Sequence, residues 1–198
     1  MSVRAWLVDL DGTLYHARWV KLAMAAELGL SGWTSVATLR RFRHEHEVLR
    51  AEMQSDVPDP FRLQVERTAQ ALGRDPEDVE RRVREWMVRR PCKWIRRFKN
   101  EVLLGEIREF REGGGHVALV SDYPARDKLA ALGDASLFEV VVASGEPEGP
   151  PRLKPHPGGY LAAAKRLGVP PQECLVIGDR DDADGAAARA AGMSFRLV

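Results

Sequence analysis

The chain has only two cysteines in its 198 residues. Cys92 and Cys174 lie far apart and fit no metal-ligand spacing, and two thiols cannot staple a chain of this size, so a disulfide framework and a thiolate metal site are both excluded. A reduced, cytoplasmic setting is the expectation. Long apolar runs are missing as well: no stretch approaches the length that crosses a bilayer, and no charged-then-apolar leader precedes the first strand-like segment. The sequence therefore reads as soluble and unexported, without a membrane partner. Charge of one sign is also lacking. A formal net charge of +1 leaves no overall footprint for nucleic acid. Internal repeats and low-complexity segments are absent too.

What is present is 44% hydrophobic residues, enough for one sizeable core and a smaller appendage. Residues 16–99 read as helix without a strand. Apolar residues recur at helical spacing over 17–28, and Thr34 or Ser35 is placed to cap a second helix to about residue 53. A break over 55–60 precedes a third helix to 72. Asp75-Pro76-Glu77-Asp78 is a strong helix start, and the fourth helix it opens should run to about 90, where Pro91 stops it. The rest alternates. Strands are expected at the start and over 116–121, 138–143, 174–177 and 194–198, with helices near 101–112, 126–132, 159–167 and 186–191 between them. This grammar predicts an α/β protein: a Rossmann-like, doubly wound parallel sheet of about five strands with an inserted all-α bundle. The expected division is a core of residues 1–15 and 100–198 and a helical cap of 16–99. No helix follows the fifth strand, so that edge is expected to be tolerated as short or covered by a partner.

The informative stretch is Ala5-Trp6-Leu7-Val8-Asp9-Leu10-Asp11-Gly12-Thr13-Leu14, an apolar run that breaks into two carboxylates and a glycine. A strand of this kind suits the centre of a parallel sheet. Alternation along it sends Asp9 and Asp11 to one side, where two like charges push one pKa up unless a divalent metal relieves them. The same residues also fit an ordinary turn in which Asp caps a loop. The other expected strands end in Ser121-Asp122 and in Gly178-Asp179, and Lys154 stands just before a helix. In a parallel sheet these ends share one edge. Carboxylates with a backbone carbonyl make a hard oxygen site suited to magnesium, and a hydroxyl and an ammonium beside it match what a phosphoryl group needs.

Together these motifs resemble the haloacid dehalogenase superfamily, in its phosphatase branch with a helical cap after the first strand. Asp9-Leu10-Asp11-Gly12-Thr13-Leu14, Ser121, Lys154-Pro155, and Gly178-Asp179 through Asp184-Gly185 match its four motifs in order. The resemblance implies that Asp9 is the nucleophile, forming an aspartyl-phosphate, and that Asp11 protonates the leaving alcohol and then activates water. It implies Mg2+ held by the Asp9 carboxylate, the Asp11 main-chain carbonyl and Asp179. Ser121 and the backbone amide of Asp122 would hold phosphate oxygens, and Lys154 would pair with phosphate and Asp9. Asp184 belongs near the metal or Lys154, with Asp182 in reserve and Asp181 facing solvent. Asp122 stands where the family often has Asn; its side chain is expected to point away or to cap the next helix. Asp11 favours phosphoryl transfer over dehalogenation. The implied activity is hydrolysis of a small phosphorylated metabolite, with a phosphomutase or a non-catalytic binding module as the alternatives.

Within 16–99, lysine and arginine outnumber acids, which reads more simply as solvated helix faces than as a funnel for anions. His44-Glu45-His46-Glu47 reads as surface helix, because residues two apart do not face the same way. Trp19, Trp33, Trp86 and Trp94 are expected in the cap's own core. Tyr15 and His16 should lie near the hinge.

Overall fold

The computed structural model describes residues 2–53 and 55–198. Five parallel strands form one sheet in the order β3-β2-β1-β4-β5: β1 is Ala5–Val8, β2 His116–Ser121, β3 Val140–Ala143, β4 Cys174–Gly178 and β5 Ser194–Leu197. β1 is central, with Leu7 in register with Ala118 on one side and Val176 on the other. Its apolar run follows from that place, since a strand with neighbours on both sides and helices on both faces meets no water.

Helices α1 (Ala17–Ser31), α2 (Val36–Glu52), α3 (Pro60–Leu72), α4 (Pro76–Val83) and α5 (Cys92–Arg97) all lie between β1 and β2. After them come α6 (Glu101–Glu112), α7 (Arg126–Leu132), α8 (Gly158–Leu167) and α9 (Ala186–Ala190). Val8, Leu119 and Ile177 pack against Leu103, Leu104 and Ile107 of α6 and Leu129 and Leu132 of α7. On the opposite face, Leu7, Val120 and Val176 meet Tyr160, Ala163 and Ala164 of α8 and Ala187 of α9. Alternation along each strand thus feeds two cores, the arrangement of a doubly wound sheet. A third core is entirely helical, built on Leu39, Phe42, Phe61, Val65, Val79, Val83 and Trp86. Val20 of α1 and Ile95 of α5 instead join the sheet's first core.

The helical segment opens and closes at one point. Tyr15 and Lys99 form an isolated antiparallel bridge, with His16 N donating to Phe98 O and Asn100 N to Leu14 O, both at 2.9 Å. Asp75 caps α4 as expected, accepting from Glu77 N at 3.2 Å. The fourth helix runs to about residue 90 and stops before Pro91 as expected, but past Val83 it widens into a π-type turn over Arg84–Arg89. Pro91 also opens a further helix, α5, that was not expected from the sequence. Proline is tolerated there because it occupies the N-cap, where no intrahelical donor is needed.

Two other expectations are corrected. Trp19 and Trp33 are 50% and 73% exposed, and only Trp86 of the four tryptophans joins the helical core. In the His44–Glu47 stretch, His44 and Glu47 face solvent but Glu45 and His46 are buried. The arginines of α4 and of the π-type turn after it are spent on neighbouring acids, Arg82 on Asp78 at 2.7 Å and Arg84 on Glu80 at 2.7 Å, as expected of solvated helix faces. Among the described residues, no helix is long and apolar enough to cross a membrane.

Candidate active site

All four sequence motifs meet at the carboxyl edge of the sheet. Asp9 directly follows β1, and its N–H still bonds Ile177 O at 2.9 Å, so the backbone is held in line with the strand. The chain then turns: Thr13 N and Leu14 N both bond Leu10 O, at 3.3 and 3.1 Å. Asp11 therefore sits on a turn rather than on the strand. Strand alternation is therefore not what sets the Asp11 side chain; its charge still reaches Asp9, and each carboxylate has its own partners.

Asp9 is buried. Lys154 Nζ lies 2.5 Å from its Oδ1, and Thr13 Oγ1 donates to Oδ2 at 3.0 Å. Its carboxyl is pushed up to about 7, first by burial; Lys154 opposes the rise, and among the acids Asp184 contributes more than Asp11. Desolvation rather than the neighbouring Asp11 is thus what makes its charge expensive. Lys154, itself buried, also lies 2.8 Å from Asp184 Oδ1 and donates to Val120 O at 3.0 Å. Burial works against its charge, yet Asp9, Tyr160 and Asp184 hold the ammonium well above its ordinary range. The Tyr160 hydroxyl donates to Asp184 Oδ1 at 2.7 Å, and Arg180 N reaches Asp184 Oδ2 at 3.3 Å. Asp182 pairs instead with Arg180, and Asp181 with Arg189, both on the exposed side.

Asp179 follows β4, and its carboxyl is raised by burial and then by Asp184. Carboxylate oxygens of Asp9, Asp179 and Asp184 all lie within 4.8 Å of one another. Gly12 opens the space they share: its φ is +108°, and a Cβ there would stand 2.0 Å from Asp179 Oδ2. Gly12→Ala should therefore displace Asp179 as well as strain the turn by about 1–2 kcal/mol. Magnesium affinity, read by calorimetry, is expected to fall about 10- to 100-fold; unchanged affinity would sink this role for the glycine.

Ser121 ends β2, buried, with Oγ accepting from Tyr123 N at 3.2 Å. The side chain of Asp122 does not cap α7, whose N-cap is Ala125; it turns toward α2 and the Lys154 main chain. Its Oδ1 accepts from Lys154 N at 3.1 Å, and its Oδ2 faces His46 Nε2 at 3.6 Å and Arg50 Nε at 3.9 Å. Burial alone would raise this carboxyl, but the hydrogen bond from His46 and the charge of Lys154 hold it below the usual range. The His46 ring stacks on Tyr123 at 4.6 Å, and Arg50 Nε also donates to Lys154 O at 2.6 Å. The charge that Asp122 adds is thus met from α2 by the Arg50 guanidinium and by a ring nitrogen of His46. Tyr15 is buried with its hydroxyl on Asp11 Oδ1, whereas His16 is exposed at the start of α1.

One ammonium was not expected from the sequence. Lys128 of α7 is 3% exposed, and its Nζ lies 2.6 and 2.8 Å from the two oxygens of Asp11. Its only sequence signal is position, one turn before Leu132 on the apolar face of a helix that follows Ser121. Asp9, Asp11, Asp179 and Asp184 thus face the ammonium groups of Lys128 and Lys154. Burial makes negative charge on Asp9 and Asp179 expensive, which a divalent cation would relieve, and an all-oxygen donor set suits a hard ion.

Comparison with known proteins shows the family and the fold. The model of a family described as a hydrolase, haloacid dehalogenase-like hydrolase, matches residues 3–192. A glyceraldehyde 3-phosphate phosphatase of Methanopyrus kandleri is 31% identical over 203 residues, covering 96% of this chain and 82% of its own length. A phosphoglycolate phosphatase of Xylella fastidiosa is 58% identical over 79 residues, which is 40% of this chain and 33% of that protein. Among solved structures, the magnesium-bound HAD-hydrolase YfnB of Bacillus subtilis aligns with a TM-score of 0.67 at 15% identity, covering 100% of this chain and 89% of that one.

Proposed function

The chain belongs to the haloacid dehalogenase-like hydrolases, as a phosphatase, and from that premise we propose that it hydrolyses a small phosphate monoester with magnesium, through an aspartyl-phosphate on Asp9. The observation that carries this reading is the buried cluster in which Lys154 and Thr13 hold the two oxygens of Asp9. In the first step an Asp9 oxygen bonds to phosphorus while the bond from phosphorus to the substrate's ester oxygen breaks, and Asp11 gives its proton to the departing alkoxide. A water oxygen then bonds to phosphorus and passes its proton to Asp11. The bond to Asp9 breaks, releasing inorganic phosphate and the original enzyme.

Ser121 Oγ, the Asp122 N–H and Lys154 Nζ would hold the outer phosphate oxygens, while Asp184 and Tyr160 keep Lys154 in position. The Asp122 side chain has no part in that grip, being turned to His46 and Arg50. The Asp9 and Asp179 carboxylates and the Asp11 main-chain carbonyl would hold the ion, with Asp184 beside them. When bound, magnesium supplies neutralising charge to the phosphoryl oxygens. Residues 16–99 serve in this reading as a cap over a core of 1–15 and 100–198, admitting substrate and shielding the intermediate from bulk water.

The names of the relatives make small three- and two-carbon phosphates the first compounds to try. Inorganic phosphate release from such a panel should require magnesium, stop with chelator and return on re-addition. No release from any compound by folded, magnesium-binding protein would overturn the proposal.

A further inference from the structure

The pairing of Lys128 with Asp11 has no structural need behind it. The ammonium lies on the apolar face of α7, with Leu129 and Leu132 buried beside it, and a methionine or leucine would pack there without desolvating a charge. Its partner is 117 positions away in sequence, and it engages both carboxylate oxygens at 2.6 and 2.8 Å. Asp11 needs such a hold. It lies on the turn after β1 rather than in the ladder, and its side chain is 28% exposed, so the backbone leaves its rotamer free. The Tyr15 hydroxyl adds a second grip on Oδ1. The two buried ammonium groups divide the site between them, Lys154 on Asp9 and Lys128 on Asp11.

We propose that Lys128 is the positioning residue of the acid–base carboxylate: it fixes Asp11 in the orientation from which a proton reaches the leaving oxygen and is later collected from water. This rests on the reading of Asp11 given under the proposed function. A proton donor works only within hydrogen-bond reach of the atom it serves, and a misplaced carboxylate forfeits much of the acid–base contribution.

The test compares Lys128→Met, Asp11→Asn and the double variant on an alkyl phosphate and on p-nitrophenyl phosphate. With the alkyl ester, kcat of Lys128→Met should fall about 10- to 100-fold with KM within about twofold. p-Nitrophenolate leaves without a proton, so a burst of one product per enzyme should persist ahead of a slowed steady state. In the Asp11→Asn background the lysine substitution should cost less than about twofold more. Magnesium affinity, measured by calorimetry, should match wild type, since the ion would use the main-chain oxygen of residue 11. If Lys128→Met does not fold, Lys128→Gln, which keeps the stem and a donor, should show the same burst with a smaller loss. Additive losses in the double variant, or a lost burst in a folded variant, would overturn the assignment. If Asp11→Asn is slow while Lys128→Met turns over at the wild-type rate, the positioning role alone is overturned. If Asp11→Asn is itself unimpaired, the acid–base reading falls first.

Discussion

Asp9→Asn is expected to abolish phosphate release, by about a thousandfold or more, without unfolding the protein. The amide has the size of the carboxyl but cannot form the acyl-phosphate bond, so the loss should appear in kcat with every substrate, good leaving group or poor. Stability should move the other way. The native carboxyl is pushed up to about 7, chiefly by burial, from an ordinary value of 3.8. The folded state therefore binds its proton more tightly than the unfolded chain does, and this group's contribution to stability falls as pH rises from about 4 to about 7. An asparagine does not titrate, so in metal-free buffer the variant should be at least as stable as the parent at neutral pH, and its advantage should shrink toward pH 4. Thermal unfolding across that range checks the sign. A variant that turns over normally would remove Asp9 from the chemistry, and one that unfolds at neutral pH would contradict the desolvation argument.

Lys154→Met should be the costliest single change to the fold. The ammonium is shared by Asp9 at 2.5 Å, Asp184 at 2.8 Å and Val120 O at 3.0 Å, all buried. Removing it leaves two carboxylates facing each other with Asp179 close by, and orphaning a buried ion pair in this way costs about 3–5 kcal/mol. Activity should vanish with it. Magnesium discriminates this account from simple loss of packing. The ion would take over part of the countercharge, so it should raise the unfolding midpoint of the variant more than that of the parent. Equal shifts in both, or a variant as stable as the parent without metal, would refute the electrostatic account.

The sheet was readable because each strand states its place. The uninterrupted apolar run before Asp9 demands cover on both faces, and Ser121 and Asp179 follow similar runs, so parallel order alone brings them to one edge. Motif order puts Lys154 beside Asp9 and Asp184 near the metal or Lys154, and the Lys154 ammonium lies 2.5 Å from Asp9 and 2.8 Å from Asp184. The parts that stayed hidden depend on partners distant in sequence. Lys128 looks like any helical lysine until α7 is laid over the turn that carries Asp11. His46 and Arg50 look like solvated residues of a charged helix until Asp122 draws them inward. Pro91 reads rightly as a stop, but a local stop signal does not show that the same proline caps a new helix beyond it. The exposure of Trp19 and Trp33 was equally unreadable, since apolar spacing marks a face without saying whether anything covers it.

The bridge between Tyr15 and Lys99 bears on how freely the segment between them can change in length. An excursion whose two ends are already fastened side by side adds little to the entropy of closing the core around it, and that cost grows only logarithmically with its length. The helices with a core of their own, α2, α3 and α4, can therefore change in length while β1 keeps its neighbours β2 and β4, whereas α1 and α5 are tied to the sheet through Val20 and Ile95. A change of length between Tyr15 and Lys99 thus leaves the carboxylates at the strand ends where they are.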